Sequence, residues 1–178
     1  MDDFAQELRA RFRWVDGHAD ILGLVADAAF LARSVETLAK PFAEAGVTKV
    51  VGIEARGFVF GAAVAVQLEA GFVAVRKPGA VHPGPKAVRV SEPDWRGHRP
   101  ALELQRAALG AGDRVLLVDD WAETGSQALA ARALVEECGG EWAGASLLVD
   151  QLEDVVRAQL APVVSVLTHE QLPDSLGA

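Results

Sequence analysis

The stretch Val115-Leu-Leu-Val-Asp-Asp-Trp-Ala-Glu-Thr-Gly-Ser-Gln127 joins a buried strand, an acidic pair and a small polar loop. Val115 to Val118 are four consecutive apolar residues, the pattern of a strand covered on both faces. Asp119 and Asp120 follow at once, and the loop ends in Thr124-Gly125-Ser126-Gln127. Beyond it, Ala130, Ala133, Leu134 and Cys138 recur on one helical face. A loop of small residues ahead of a helix aims backbone N–H groups and the positive end of the helix dipole at one point, which suits a phosphate. The two carboxylates stand where the vicinal hydroxyls of a sugar can be gripped. Phosphate and diol together describe a ribose 5-phosphate.

Composition bounds what surrounds this stretch. The 178 residues suffice for one domain, 1–178, with a full core, and 51% hydrophobic content argues against disorder. No apolar run approaches the roughly 20 residues that span a bilayer. The opening residues mix Asp2, Asp3, Glu7, Arg9, Arg11 and Arg13 among apolar positions, unlike a secretory signal, so a cytoplasmic protein without membrane partners is expected. Cys138 stands alone and reads as a small core residue. A net charge of −8 gives no support to nucleic-acid binding, although it permits a small anionic ligand held by local positive charge.

Strand and helix patterns alternate along the chain. Phe4, Leu8 and Phe12 predict an amphipathic N-terminal helix. Residues 13–24 carry no clear period, and Ser34 reads as the cap of a helix holding Val35, Leu38 and Phe42. Strands are expected at Lys49–Ile53, Phe72–Val75, Leu102–Leu104, Ala143–Val149 and Val163–Leu167. Helices are expected over residues 57–70, behind Gln127, and near residues 152–160. The tail from Glu170 onward reads as loose. Residues 77–100 hold eight prolines and glycines and read as a long structureless loop, a mobile lid. The alternation predicts an α/β fold, a doubly wound and mostly parallel sheet whose ligands sit at the carboxyl ends of the strands. Arg56 follows one such strand at a helix N-terminus, and Arg76 and Lys77 follow another. These three cations suit a pyrophosphate facing the acidic pair.

With those residues in place, Val115–Gln127 resembles the phosphoribosyl pyrophosphate (PRPP) signature of type I phosphoribosyltransferases. Val51-Gly-Ile-Glu-Ala-Arg-Gly-Phe-Val-Phe-Gly61 is similar to the pyrophosphate loop of adenine phosphoribosyltransferases. Arg76-Lys77-Pro78-Gly79 with Pro83-Gly84-Pro85, and Leu102-Glu103-Leu104-Gln105, resemble the segments around that family's mobile loop. The resemblance covers about residues 30–170. It implies the type I phosphoribosyltransferase fold, with about five parallel strands and a small N-terminal hood or dimer segment at 1–25. It also implies a homodimer and transfer of the 5-phosphoribosyl group from PRPP to a purine, adenine first, with release of pyrophosphate, as in purine salvage. Asp119 and Asp120 carry over to the ribose hydroxyls, Glu123, Thr124, Gly125, Ser126 and Gln127 to the 5-phosphate, and Arg56, Arg76 and Lys77 to pyrophosphate. Mg²⁺ is implied as cofactor, held mainly by PRPP and water with no direct protein ligand. A non-proline cis peptide is implied at Glu54–Ala55.

Four positions depart from the family pattern. Glu123-Thr-Gly-Ser-Gln127 replaces Ala-Thr-Gly-Gly-Thr; the acid stands where 6-oxopurine enzymes carry an aspartate near purine N7, so Glu123 is a candidate proton-exchanging group. Asp94-Trp95-Arg96-Gly97 replaces Glu-Tyr-Gly in the mobile loop, which makes Asp94 the second catalytic candidate. Val81 replaces a loop lysine, with Lys86 nearby. In the base pocket His18-Ala19-Asp20-Ile21 replaces Phe-Arg-Asp-Ile, so His18, Ala19 and Asp20 are the base-pocket candidates. The altered pocket keeps two alternatives to adenine open: a 6-oxopurine or other base, and a non-catalytic regulator that senses PRPP.

Overall fold

The computed structural model describes residues 2–79, 83–93 and 96–173. Helix α1 (Asp3–Arg11) opens the chain with Asp2 accepting the Ala5 N–H at its N-terminus. It buries Phe4, Ala5 and Leu8, the face the spacing predicts. The unassigned segment after it is ordered: β1 (Trp14–Val15) and β2 (His18–Ala19) form a small antiparallel hairpin, and α2 (Ile21–Val25) follows. Helix α3 (Ala28–Ala39) begins six residues before the expected cap. Asp27, whose carboxylate accepts the Ala29 and Phe30 N–H groups, is the cap. Ser34 is instead fully buried inside the helix, where its hydroxyl donates to the Phe30 carbonyl. A hydroxyl that bonds back four residues satisfies itself within a helix, so its type alone does not mark a boundary.

Strand β3 (Lys49–Ile53), helix α4 (Arg56–Gln67) and strand β4 (Gly71–Val75) come next. Two further strands, β5 (Lys86–Val90) and β6 (Ala101–Gln105), pair antiparallel in register. Part of the expected structureless loop is therefore a hairpin arm: Ala87, Leu102 and Leu104 are buried while Val88 and Val90 face outward. Asp94, and Val81 within the altered loop, lie outside the described residues. The chain then runs through β7 (Arg114–Ala122), α5 (Ser126–Glu137), β8 (Glu141–Asp150), α6 (Asp154–Leu160) and β9 (Val163–Thr168). The tail is not loose up to residue 173, because Leu172 is buried and the Trp14 indole N–H donates to the Pro173 carbonyl.

Five strands form one parallel sheet in the order β4-β3-β7-β8-β9. Each strand feeds a separate core on each face, and β7 shows the division by parity. Leu116 and Val118 join Leu8, Phe30, Phe60 and Val64 on the side of α1, α3 and α4. Val115 and Leu117 join Leu134, Leu104 and Leu160 on the side of α5, α6 and the β5–β6 hairpin. The chain leaves β3 to one side for β4 and returns across it to β7. That reversal opens a crevice at the carboxyl ends of β3 and β7, where ligands bind in sheets of this type.

Candidate active site

A cavity of about 480 Å³ occupies that crevice. Its floor is the end of β7, where the buried strand runs straight into Asp119 and Asp120. Asp120 is 3% exposed, and its Oδ2 stands 3.0 Å from Arg56 Nε, within ion-pair distance yet off the axis of a hydrogen bond. The Asp119 carboxylate accepts the Asp120 N–H at 2.9 Å. Gly57 makes room for it: a Cβ there would lie 2.9 Å from Asp119 Oδ1. Burial pushes the Asp119 carboxyl well above the usual carboxylate range, and the Asp120 charge beside it pushes the same way. Burial also raises Asp120, against the opposing pull of the Arg56 guanidinium. The two carboxylates share one guanidinium, and Asp120 Oδ2 has no hydrogen bond, so the pair has capacity left for ligand hydroxyls and cations.

Two helix N-termini border the cavity, and both lack a side-chain cap. Helices α1, α2 and α3 are each capped by an aspartate, Asp2, Asp20 and Asp27. Helix α4 starts from Ala55 and α5 from Gly125, with no capping side chain at either. Their first N–H groups and positive dipole ends face cavity-lining residues, the arrangement that holds phosphate oxygens. Gly125 turns the second loop with φ +70, and a Cβ there would meet Val156 Cγ1 at 2.5 Å and Leu152 Cδ2 at 2.7 Å. The Thr124 hydroxyl accepts the Ser126 N–H and donates to the Ser126 hydroxyl, which shapes the loop from within. The Glu54–Ala55 peptide ahead of α4 is cis, where the resemblance implies it.

Residues 24–172 match the phosphoribosyl transferase domain family. The chain belongs to this family. This phosphoribosyltransferase is 43% identical to the adenine phosphoribosyltransferase of Methylococcus capsulatus over 131 residues, 74% of this chain and 75% of that one. It is 44% identical to the Clostridium perfringens protein of that name over 134 residues, 75% of this chain and 76% of that one. A 43% identical match to the Serratia proteamaculans protein covers 74% of this chain and 65% of that one, just under two thirds of its length. The crystal structure of the Rhodothermus marinus adenine phosphoribosyltransferase aligns with a TM-score of 0.82 at 34% identity, over 93% of this chain and 98% of that chain. The Giardia lamblia enzyme complexed with 9-deazaadenine aligns with a TM-score of 0.83 at 28% identity, over 93% of this chain and 97% of that chain.

Most of the residues singled out in the sequence of this phosphoribosyltransferase converge. Asp119, Asp120, Arg56, Lys77, His18, Ala19 and the run from Glu123 to Gln127 all line the cavity. Asp20 and Arg76 do not. The Asp20 carboxylate turns to its own helix and accepts the Gly23 N–H at 2.9 Å. Arg76 stands behind the wall, its backbone bridged to Glu103 and its guanidinium 3.6 Å from Glu54. Glu54 itself lines the cavity and accepts the Lys77 N–H at 2.9 Å, which fixes the cationic loop after β4. Trp14, Trp121, Gln151 and His169 line the cavity as well. The carboxyl-end rule that found Asp119 also marks Gln151 and His169, which lie just past β8 and β9. Trp14 carries no such signal, because its hairpin has no sequence period.

Proposed function

We propose that this phosphoribosyltransferase moves the 5-phosphoribosyl group from PRPP to a purine base, adenine in preference, and releases pyrophosphate. The observation that carries the reading is the meeting, in one cavity, of an acidic pair (Asp120 buried, Asp119 half-buried), two uncapped helix N-termini and the cations Arg56 and Lys77. The bond from C1′ to pyrophosphate breaks while a purine ring nitrogen bonds to C1′, and the proton the free base loses leaves to the pyrophosphate or to water. Charge on the sugar rises and charge on the leaving group accumulates. Asp119 and Asp120 accept the ribose hydroxyls and hold the sugar against this change, the loop from Thr124 to Gln127 anchors the 5-phosphate, and Arg56 with Lys77 stabilises the departing pyrophosphate. The hairpin β1–β2 with the rest of residues 1–25 serves as a hood over the base.

Mg²⁺ bound with PRPP neutralises pyrophosphate charge. No group of three or more His, Cys, Asp or Glu side chains among the described residues gathers to hold a metal alone. A hydrated ion carried by PRPP fits the hard oxygens of Asp119 and Asp120, including the Oδ2 of Asp120 that lacks a hydrogen bond. The working form is a cytoplasmic homodimer; among the described residues no helix is long and apolar enough to cross a membrane.

A second base class, the 6-oxopurines, is favoured by one feature: the Glu123 carboxyl at the cavity wall, able to exchange a proton with a purine nitrogen. The deciding experiment supplies Mg-PRPP with adenine, hypoxanthine and guanine in turn and follows nucleoside monophosphate and pyrophosphate. Stoichiometric adenosine monophosphate and pyrophosphate are expected. Failure to bind Mg-PRPP would end the reading. Tight PRPP binding without turnover on any base would mark a PRPP-sensing regulator instead.

A further inference from the structure

One wall of the cavity is built differently from the rest. The cationic loops follow β3 and β4 on one side of the acidic pair. On the other side stand Trp121 near the end of β7 and Gln151 and His169 just past β8 and β9, with Trp14 of the hood against them. Trp14 and Trp121 meet edge to face at 5.9 Å, and Trp121 meets His169 at 5.8 Å. Phe12, fully buried behind them, closes the stack at 5.2 Å from Trp14 and 6.3 Å from Trp121. Rings packed edge to face present an apolar wall, which suits a planar heterocycle rather than a phosphate.

One side chain on that wall carries directional chemistry. The Trp121 indole N–H donates to Gln151 Oε1 at 3.0 Å. An indole N–H can only donate, so the atom facing it is the amide oxygen and the amide cannot be flipped without setting donor against donor. The NH₂ of Gln151 is thereby turned away from Trp121, and Oε1 keeps one lone pair. The backbone fixes the same residue from both sides. Gln151 N–H donates to the Ala122 carbonyl at 2.9 Å. Asp150 before it is buried, accepts the Leu152 N–H at 2.8 Å and pairs with Arg157. Trp121, paired with Val149 in the β7–β8 ladder, and Gln151, just beyond the ladder's end, thus meet with little freedom left.

Resting on the function proposed above, we infer that Gln151 is the specificity-determining residue for the base, with Trp121 the positioning residue that sets its amide. The amide offers a donor beside an acceptor. It pairs with a heterocycle edge that offers an acceptor beside a donor, as a 6-aminopurine does where its exocyclic amine flanks a ring nitrogen. A 6-oxo group reverses the order along the same edge and meets the fixed amide like against like. A pocket that reads its substrate by buried hydrogen bonds rejects the mismatched analogue strongly, because its own polar groups go unpaired.

Gln151→Glu separates recognition from structure, since a carboxylate still accepts the Trp121 N–H but no longer donates. The KM for adenine should rise roughly 10- to 100-fold, the range for a buried acceptor left without its donor, with the KM for PRPP within about twofold. Trp121→Phe keeps the ring wall and frees the amide, so the kcat/KM ratio of adenine over hypoxanthine should fall at least tenfold. An unchanged adenine KM in Gln151→Glu, or an unchanged base ratio in Trp121→Phe, would overturn the inference. Should the wild-type protein bind Mg-PRPP and turn over no purine, the enzymatic reading fails while this one remains open to measurement. Adenine titrated into the PRPP complex would then quench Trp14 and Trp121 fluorescence. Loss of that quenching in Gln151→Glu supports the inference, and undiminished quenching refutes it.

Discussion

Asp119 answers to two opposed demands, and the conflict is measurable. Its carboxyl is pushed well above the usual value by burial and by Asp120, so the folded chain holds its proton more tightly than the unfolded chain. Between the ordinary carboxylate value of 3.8 and the raised folded value, stability therefore falls as pH rises. Asp119→Asn removes that slope and keeps an oxygen for the Asp120 N–H. Its melting temperature at neutral pH should exceed the wild type's, with the gap closing as the medium is acidified; equal melting temperatures at neutral pH would show that burial costs the acid nothing. The same variant combined with Asp120→Asn should weaken Mg-PRPP at least about tenfold by calorimetry, since charge-assisted bonds of about 1.5–3 kcal/mol become neutral ones. Glu123 gives the second test. If it exchanges a proton with the base, Glu123→Ala lowers kcat by roughly 10²–10⁴ with little change in the KM for PRPP. Near-wild-type turnover would remove Glu123 from the chemistry and leave Asp94 as the candidate. These acids were legible in the sequence because a charged residue directly behind a buried strand has few structural reasons to be there. Asp20 and Arg76 stay out of the cavity lining for the complementary reason: position in the chain places a residue near a site, while the side chain's direction depends on partners such as Gly23 N–H and Glu54 that lie elsewhere in space or around a turn.

At the scale of elements, the phosphate loop and the β5–β6 hairpin show which signals survive in a sequence. The loop was legible because glycine at position 125 is demanded twice over, by φ +70 and by the side chains of α6 packed against it. Gly125→Ala must move Leu152 and Val156 and also adopt a left-handed backbone, which costs about 1–2 kcal/mol for a residue with a Cβ. The expected result is a fold that survives with lowered stability and a PRPP affinity reduced by more than the stability loss alone explains; unchanged affinity by calorimetry would mean that this loop does not hold the 5-phosphate. The hairpin was half hidden. Lys86–Val90 places valines outward at 88 and 90, which are 50% and 65% exposed, so its period of two does not separate apolar from polar. Surrounding prolines and glycines then outweighed it. Its partner strand, with Leu102 and Leu104 both buried, was visible because alternation there agrees with burial. Helix α3 failed at its start for a similar reason, since both Asp27 and Ser34 are residue types that cap helices and only the carboxylate meets free N–H groups.

Across the whole molecule, one sheet separates two cores that share no helix. Phe60 lies in the core covered by α1, α3 and α4, and Leu134 in the core covered by α5, α6 and the hairpin. Each is completely buried. Strand β7 contributes alternate side chains to both, and its far end carries the acidic pair. Neither core can dissolve without stripping a face of the strand that organises the cavity. The chain should therefore unfold as one unit: Phe60→Ala, at about 3–5 kcal/mol, and Leu134→Ala, at about 2–5 kcal/mol, should shift the same urea transition, with effects that add because the sites share no partner. Mg-PRPP, although bound at the strand ends alone, should protect both cores equally, by about 2.7 kcal/mol at a hundredfold excess over its Kd. Urea melts followed by circular dichroism and by tryptophan fluorescence, with and without Mg-PRPP, test this directly, since Trp14 and Trp121 report the cavity, Trp142 reports the core beside α5 and α6, and the helices report both faces. Two separated transitions, or ligand protection confined to one probe, would mean that the two layers fold independently and that the cavity is supported by only one of them.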